Sequence, residues 1–206
     1  SPPNLTSRYG ASGRSSRAVA RSGCSMRTGR PFRFPTRDLT ILDIKKSKPP
    51  ALGFLFSHPA HLVACGFGSG LSPFAPGTVG TLFAWATFYL FRPWMSDPQL
   101  LVFFIACFIV GVAAVHKTGA DLGVVDHGSI VWDEIVPFWL VLLFSPAGWL
   151  WQTAAFLLFR IFDIVKPQPA RYFDTKVKNG FGVMTDDLFA GVYTVLVLQI
   201  VAFLLS

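Results

Sequence analysis

The sequence predicts an all-α fold, an integral membrane bundle of about four to five apolar helices, on three observations. Hydrophobic residues make up 52% of the 206 positions and 21 of them are Phe, which is too apolar for an ordinary soluble domain. Mean hydropathy is +0.50. Asp, Glu, Lys and Arg are absent over four long stretches: Pro49–Phe91, Pro98–His116, Ile135–Phe159 and Leu188–Ser206. A helical span needs about 20 mostly apolar residues, and several of these stretches reach that length. A chain this small could not wrap all four in polar surface as a soluble protein must.

The elements follow in order. Residues 1–56 read as a basic, disordered N-terminal arm or as sequence upstream of a start such as Met26, because a stretch rich in Ser, Arg and Gly cannot bury enough surface to fold. It lacks the apolar core of a secretory signal. The domain occupies 57–206. A Gly/Pro-rich segment from Gly66 to Thr78 precedes the first helical run, Val79–Phe91. Leu100–Val115 is the second span. Lys117–Ile130 is polar. The third span starts near Val131, is interrupted by the turn signal Ser145-Pro146-Ala147-Gly148, and returns through Trp149–Ile164. Those two helices are short and suit a re-entrant hairpin. Lys166–Thr185 is a second polar segment, and Leu188–Leu205 is the last span. No internal repeat is evident, which weakens a transporter built from duplicated halves.

Net charge is +7, but it is unevenly placed. Residues 1–48 hold 11 Lys and Arg against Asp38 and Asp43, a balance of +9; the remaining 7 basic and 9 acidic groups give −2. A positive-inside signal explains this split more cheaply than nucleic-acid binding, so no nucleic-acid partner is expected. With the arm in the cytoplasm, span counting returns both polar segments and the Gly/Pro segment to the cytoplasmic face. The expected setting is multi-pass, with the site on that face. Cys24, Cys65 and Cys107 fit no zinc pattern.

Eight of the 11 acidic residues lie between Asp121 and Asp187. Charges at membrane depth are costly and usually paired, metal-bound or functional. Asp186 and Asp187 read as preceding a helix, where one carboxylate can cap; capping does not explain the adjacent pair together with Asp133, Glu134 and Asp163. Asp133 and Glu134 point about 100° apart on a helix, so one ligand and one base, or two ions, is the natural division. Arg160, Asp163 and Lys166 are spaced i, i+3, i+6 and lie roughly on one face, either a metal ligand between two phosphate-binding cations or an ion-pair ladder. Ala190 and Gly191 allow close helix approach to the helix of Asp163. Ser69, Thr78 and nearby glycines offer backbone amides and hydroxyls to a phosphate. His127 is a loosely held candidate general base. Carboxylate oxygens suit Mg²⁺, which commonly combines a few carboxylates with substrate phosphate. Leu71 stands where a cysteine-phosphatase loop starting at Cys65 needs Arg, and no Asp-x-Asp nucleophile, histidine-type lipid phosphatase triple motif or CDP-alcohol phosphotransferase pattern occurs.

Four segments then carry a resemblance: His61–Thr81 (HLVACGFGSGLSPFAPGTVGT), Asp126–Val136 (DHGSIVWDEIV), Arg160–Pro169 (RIFDIVKPQP) and Gly180–Gly191 (GFGVMTDDLFAG). In this order they closely resemble the phosphatidylglycerophosphatase A family, over roughly Ser57 to Phe203. The resemblance implies an all-helical enzyme of the bacterial inner membrane that hydrolyses phosphatidylglycerophosphate to phosphatidylglycerol and phosphate with Mg²⁺. Its partners would be the bilayer and a phospholipid substrate. Carried over residue by residue, it implies Asp133, Glu134, Asp163 and Asp187 as catalytic, these four with Asp186 as metal ligands, and Arg160, Lys166, Ser69 and Thr78 toward the substrate phosphate. Pro137 replaces the family's usual Gly and is expected in the first turn of its helix, where proline is tolerated; Asn179-Gly180 replaces Gly-Gly. The rival from another class is a cation or proton transporter using the same acids, which predicts carboxylates spread through bilayer depth.

Overall fold

Prolines cut the first apolar stretch into short pieces before any long helix can form. In the computed structural model, which describes residues 48–205, α1 (Leu52–Ser57) ends at His58, whose extended backbone and Nδ1 cap α2 (Pro59–Ala64) by accepting the Ala60 N–H at 3.0 Å. The folded region thus begins before Ser57, with Leu55 buried. Residues 1–47 of the expected arm, Cys24 included, lie outside the described residues. A 3-10 turn, Gly66–Leu71, follows, and Pro76 at the first position starts α3 (Pro76–Phe91) three residues earlier than periodicity suggests.

The remaining elements are α4 (Asp97–Leu122), α5 (Trp132–Phe144), α6 (Trp149–Val165), α7 (Ala170–Lys176) and α8 (Gly180–Leu205). The described residues are all-helical, as expected. α4 and α8 have 26 residues each, with hydropathies of 2.5 and 2.4 over their apolar windows. At 1.5 Å per residue each is about 39 Å long, enough to cross a hydrocarbon layer of about 30 Å. Only 28% and 22% of those windows are buried, so they show apolar side chains outward, unlike the core helices of a soluble protein. α3, α5 and α6 reach only about 24, 20 and 26 Å. Among the described residues, two helices have full spanning length and hydropathy. The chain is membrane-associated.

α5 is the hub, packed against α3, α4 and α8, while α8 also packs against α6 and α7. Its Ile135, Phe138 and Val141 have no solvent exposure. Trp139 meets Phe91, Phe103 and Phe104 with ring centroids 5.0 to 6.1 Å apart, and its indole N–H donates to the Ala84 carbonyl at 2.9 Å. Gln152 of α6 accepts from Trp85 at 3.0 Å and from the half-exposed Tyr89 at 2.6 Å, a polar tie to α3. Pro137 lies in the second turn of α5, not the first. It lacks the N–H that would reach the Asp133 carbonyl four residues back.

The start of α8 departs most from the sequence expectation. Gly180–Thr185 reads as loop, yet the helix begins at Gly180 and places Asp186 and Asp187 about 10 Å inside it. The glycines mark close packing. A Cβ at Gly180 would strike the Val112 carbonyl and the His116 N–H of α4, and one at Gly182 the Val177 carbonyl. Gly191 faces Pro137 and Val141 of α5, and α8 also packs on α6, which brings Asp187 beside Asp163 as expected. Gly180→Val is expected to lower stability by about 1–3 kcal/mol, because backbone atoms cannot yield as side chains do; thermal unfolding in detergent against wild type measures it.

Candidate active site

The antiparallel connections put the start of α3, the end of α4, the start of α5, the end of α6 and the first turns of α8 at one end of the bundle. Asp133 and Glu134 occupy the first turn of α5, where carboxylates meet the positive end of the helix dipole. Asp163 sits in the last turn of α6, where the dipole opposes it, and it pairs with Arg160 at 2.8 Å. Asp187 projects from two turns inside α8, too deep to cap the helix.

Glu134, Asp163 and Asp187 converge: one carboxylate oxygen from each lies within 4.8 Å of the others. Arg160 bridges the first two, pairing with Glu134 Oε2 as well as Asp163. Asp187 Oδ1 is buried with no hydrogen-bond partner, as are Arg160 Nε and Asp133 Oδ1. Two buried carboxylates, a half-buried third and an orphaned oxygen make a donor set that fits a hard divalent cation.

Asp133 and Asp186 stand outside this trio. Lys166 leaves α6 in a left-handed conformation (φ 46°), and its ammonium pairs with Asp186 and with Asp174 at 3.2 Å. Burial works against the lysine's charge, but Asp187, Asp186, Asp126 and Asp174 together raise its pKa above the ordinary value. Asp133 interacts electrostatically with Asp126, Glu134, Asp186 and Lys166. The neighbouring acids of α5 therefore serve two groups, Glu134 with Arg160 and Asp133 on the Lys166 side, matching their angular divergence. Arg160 pairs with Asp163, whereas Lys166 pairs with Asp174 and Asp186, so the trio forms only half of an ion-pair ladder.

In the Gly/Pro segment three of the donors expected to face a phosphate are engaged within the segment itself. Ser69 Oγ donates to the Gly66 carbonyl at 2.8 Å, and the amides of Gly68 and Gly70 donate to the Cys65 carbonyl at 3.0 and 3.1 Å. Those donors stabilise the turn itself. Thr78 is half-buried in the first turn of α3. Cys65 is fully buried, and burial pushes its thiol up to about 11, so it supplies no thiolate. His127 is buried, and burial lowers its pKa against the opposing pull of Asp126. Its Nδ1 accepts the Ser129 N–H at 3.1 Å, which places the neutral ring's proton on Nε2 and leaves no free basic nitrogen.

Two site residues escaped the sequence reading. Thr81, with no solvent exposure, has its hydroxyl 3.0 Å from Glu134 Oε2 and 2.9 Å from the Gly77 carbonyl, one proton shared between two acceptors. Gly77 leaves room for the same carboxylate, since a Cβ there would overlap Glu134 Oε1. Both lie within the Pro-Gly-Thr-Val-Gly-Thr run, whose second Thr falls one turn after Gly77 on the same helix face. A third feature is His61, whose Nε2 meets Asp121 Oδ2 at 2.7 Å while its ring stacks on Phe54 at 4.0 Å, tying α1 and α2 to the end of α4.

Residues 62–202 match the family model described as Phosphatidylglycerophosphatase A. The chain belongs to the phosphatidylglycerophosphatase A family. It is 50% identical over 141 residues to the phosphatidylglycerophosphatase A of Haemophilus influenzae, covering 68% of this chain and 86% of the relative. The Escherichia coli protein of the same name is 47% identical over 161 residues, covering 75% and 89%. A putative phosphatidylinositol-3-phosphatase of Bacteroides thetaiotaomicron is 41% identical over 150 residues, covering 68% and 91%. No solved structure matches. Membership makes the chain an enzyme, a phosphoric monoester hydrolase. The transport alternative finds no support.

Thr81→Val removes one of the two side-chain donors beside Glu134 and is expected to cut phosphatase activity about 10–100-fold, the cost that loss of an orienting group has where the carboxylate binds a cation. Thr81→Ser, which keeps the hydroxyl, is expected to retain most of it. Equal losses in both variants would show that the methyl packing matters and the hydrogen bond does not.

Proposed function

We propose that this chain hydrolyses phosphatidylglycerophosphate to phosphatidylglycerol and phosphate, with Mg²⁺ held by Glu134, Asp163 and Asp187. The observation that carries the reading is the carboxylate trio with its unpartnered Asp187 oxygen, in a chain 47–50% identical to two phosphatidylglycerophosphatases. The lower identity to the putative phosphatidylinositol-3-phosphatase makes an inositol lipid the less favoured substrate.

Magnesium, when bound, supplies positive charge for the phosphoryl oxygens. The protein's own groups do the rest. Arg160, whose Nε is free of partners, turns toward the phosphate and shares the load that Glu134 and Asp163 now place on it. Lys166 remains protonated among its carboxylates and offers a second cation. Asp133, outside the trio and with Oδ1 unpartnered, takes the proton of the attacking water. The water oxygen bonds to phosphorus, the bond from phosphorus to the glycerol oxygen breaks, that oxygen takes up a proton from water, and Asp133 returns its own proton to solvent. Asp186 fixes Lys166 rather than holding the ion, and Ser69 stabilises the turn before α3. The buried apolar walls keep bulk water from competing.

The site end carries Lys117, Lys166, Arg171, Lys176 and Lys178, which by the positive-inside rule faces the cytoplasm of a bacterial inner membrane. The enzyme is multi-pass, and its partners are bilayer lipids.

The test is phosphate release from phosphatidylglycerophosphate by purified protein in detergent micelles. Mg²⁺ should support turnover, EDTA should abolish it, and added Mg²⁺ should restore it. Asp187→Asn should lower the rate by at least about 100-fold, since a direct ligand matters no less than the groups that orient it. Undiminished release by that variant would remove Asp187 from the site, and activity unaffected by EDTA would remove the metal.

A further inference from the structure

The short helix α7 and the residues after it form a platform beside the site that the chemistry above does not use. Phe173 fixes the platform by stacking on Phe189 of α8 with centroids 5.4 Å apart. From this anchored base Arg171, Tyr172, Lys176 and Lys178 are exposed. Among the described residues, neither Arg171 nor Lys176 makes an ion pair, and Lys178 donates to the Asp174 backbone carbonyl at 2.6 Å, which leaves its charge uncompensated. The one acid in the segment, Asp174, is already paired with Lys166. Tyr172 and Phe181, each about half exposed, flank the cations. At the opposite end of the bundle, Arg92 is paired with Asp97 at 2.8 Å.

Unpaired cations interleaved with exposed aromatics, held rigidly at one end of a membrane-associated bundle, match the charge and layering of a bilayer surface bearing anionic headgroups. We propose that Arg171, Lys176 and Lys178 form a docking surface for anionic phospholipid headgroups, which gathers anionic lipid next to the carboxylate site. The inference deepens the lipid-phosphatase reading and rests on it for the purpose of the gathering, but the binding itself requires no catalysis. The division of labour is electrostatic. Arg160 and Lys166 are already engaged by carboxylates, so the free cations that a multiply charged headgroup meets first are those of the platform. The gathered lipid then exchanges laterally into the site.

The experiment uses purified full chain in nanodiscs of phosphatidylcholine carrying a trace of spin-labelled phosphatidylserine or spin-labelled phosphatidylcholine. The motionally restricted fraction is compared for the two labels. Wild type should restrict the serine lipid preferentially, and the preference should shrink between low and high salt, since exposed charges are screened. R171Q/K176Q/K178Q should lose the preference. In the same discs its KM for phosphatidylglycerophosphate, as surface mole fraction, should rise roughly tenfold with little change in kcat, given the attraction each basic residue has for an anionic leaflet. Wild type without preference, a preference indifferent to salt, or a triple variant that keeps it would each overturn the proposal. Should the triple variant fail to fold, the single K176Q variant and the wild-type salt series still decide. A clear lipid preference in protein that releases no phosphate would sustain the surface and count against the phosphatase reading, so the two fail separately.

Discussion

Five carboxylates, Asp133, Glu134, Asp163, Asp186 and Asp187, share one end of an apolar bundle with two cations, Arg160 and Lys166. Charge taken out of water is costly unless it is paired and hydrogen-bonded, and here negative charge exceeds positive. Each cation is stretched over two acids: Arg160 over Glu134 and Asp163, Lys166 over Asp174 and Asp186. Thr81 adds a neutral donor to Glu134. After all of these, oxygens of Asp133 and Asp187 remain without partners. A bundle that keeps such a deficit is built to receive positive charge, and a divalent cation with a phosphate ester is a natural occupant.

Much of the architecture answers to that deficit. The acids come from three helices whose ends must meet, so the packing surfaces are made of small residues. Gly77 clears space for the Glu134 carboxylate, Gly180 and Gly182 let α8 lie against backbone, and Gly191 seats it on α5. Lys166 accepts a left-handed backbone to turn its ammonium back toward α8, a local cost that its ion pairs offset. The polar ties elsewhere, such as Gln152 with Trp85 and Tyr89, hold α3 to α6 and so keep Thr81 and Arg160 in reach of the same carboxylate.

What could be read beforehand from the sequence followed from charge and periodicity. Uncharged stretches mark the helices, and Ser145–Gly148 marks the break between α5 and α6. The acids stood out as a group because capping alone does not explain an adjacent pair together with Asp133, Glu134 and Asp163, but which three converge was not legible: Asp133 and Asp186 were expected with the others and stand outside the trio. Two kinds of information were hidden. Glycine reads as a loop former, so Gly180–Thr185 looked like polar connection, although in a packed bundle glycine permits backbone contact and the helix runs straight through it. Hydrogen-bond partners were also hidden: Thr81 and Ser69 look equally able to serve a site, and only packing gives Thr81 to Glu134 and Ser69 to the Gly66 carbonyl.

The difference in helix length ties membrane and site together. α4 and α8 supply the reach of a hydrocarbon layer, whereas α5, at about 20 Å, is too short to do so. The first turn of α5, enclosed by α3, α4 and α8, bears Asp133 and Glu134. Asp187 lies two turns inside α8, and Asp163 in the last turn of α6. Asp133, Asp163, Asp186 and Asp187 are buried where these elements meet, and the enclosed apolar face of α5 holds the first of them in place. Burial removes the acids from bulk water, which strengthens their hold on a cation, while α7 leaves Arg171 and Lys176 exposed.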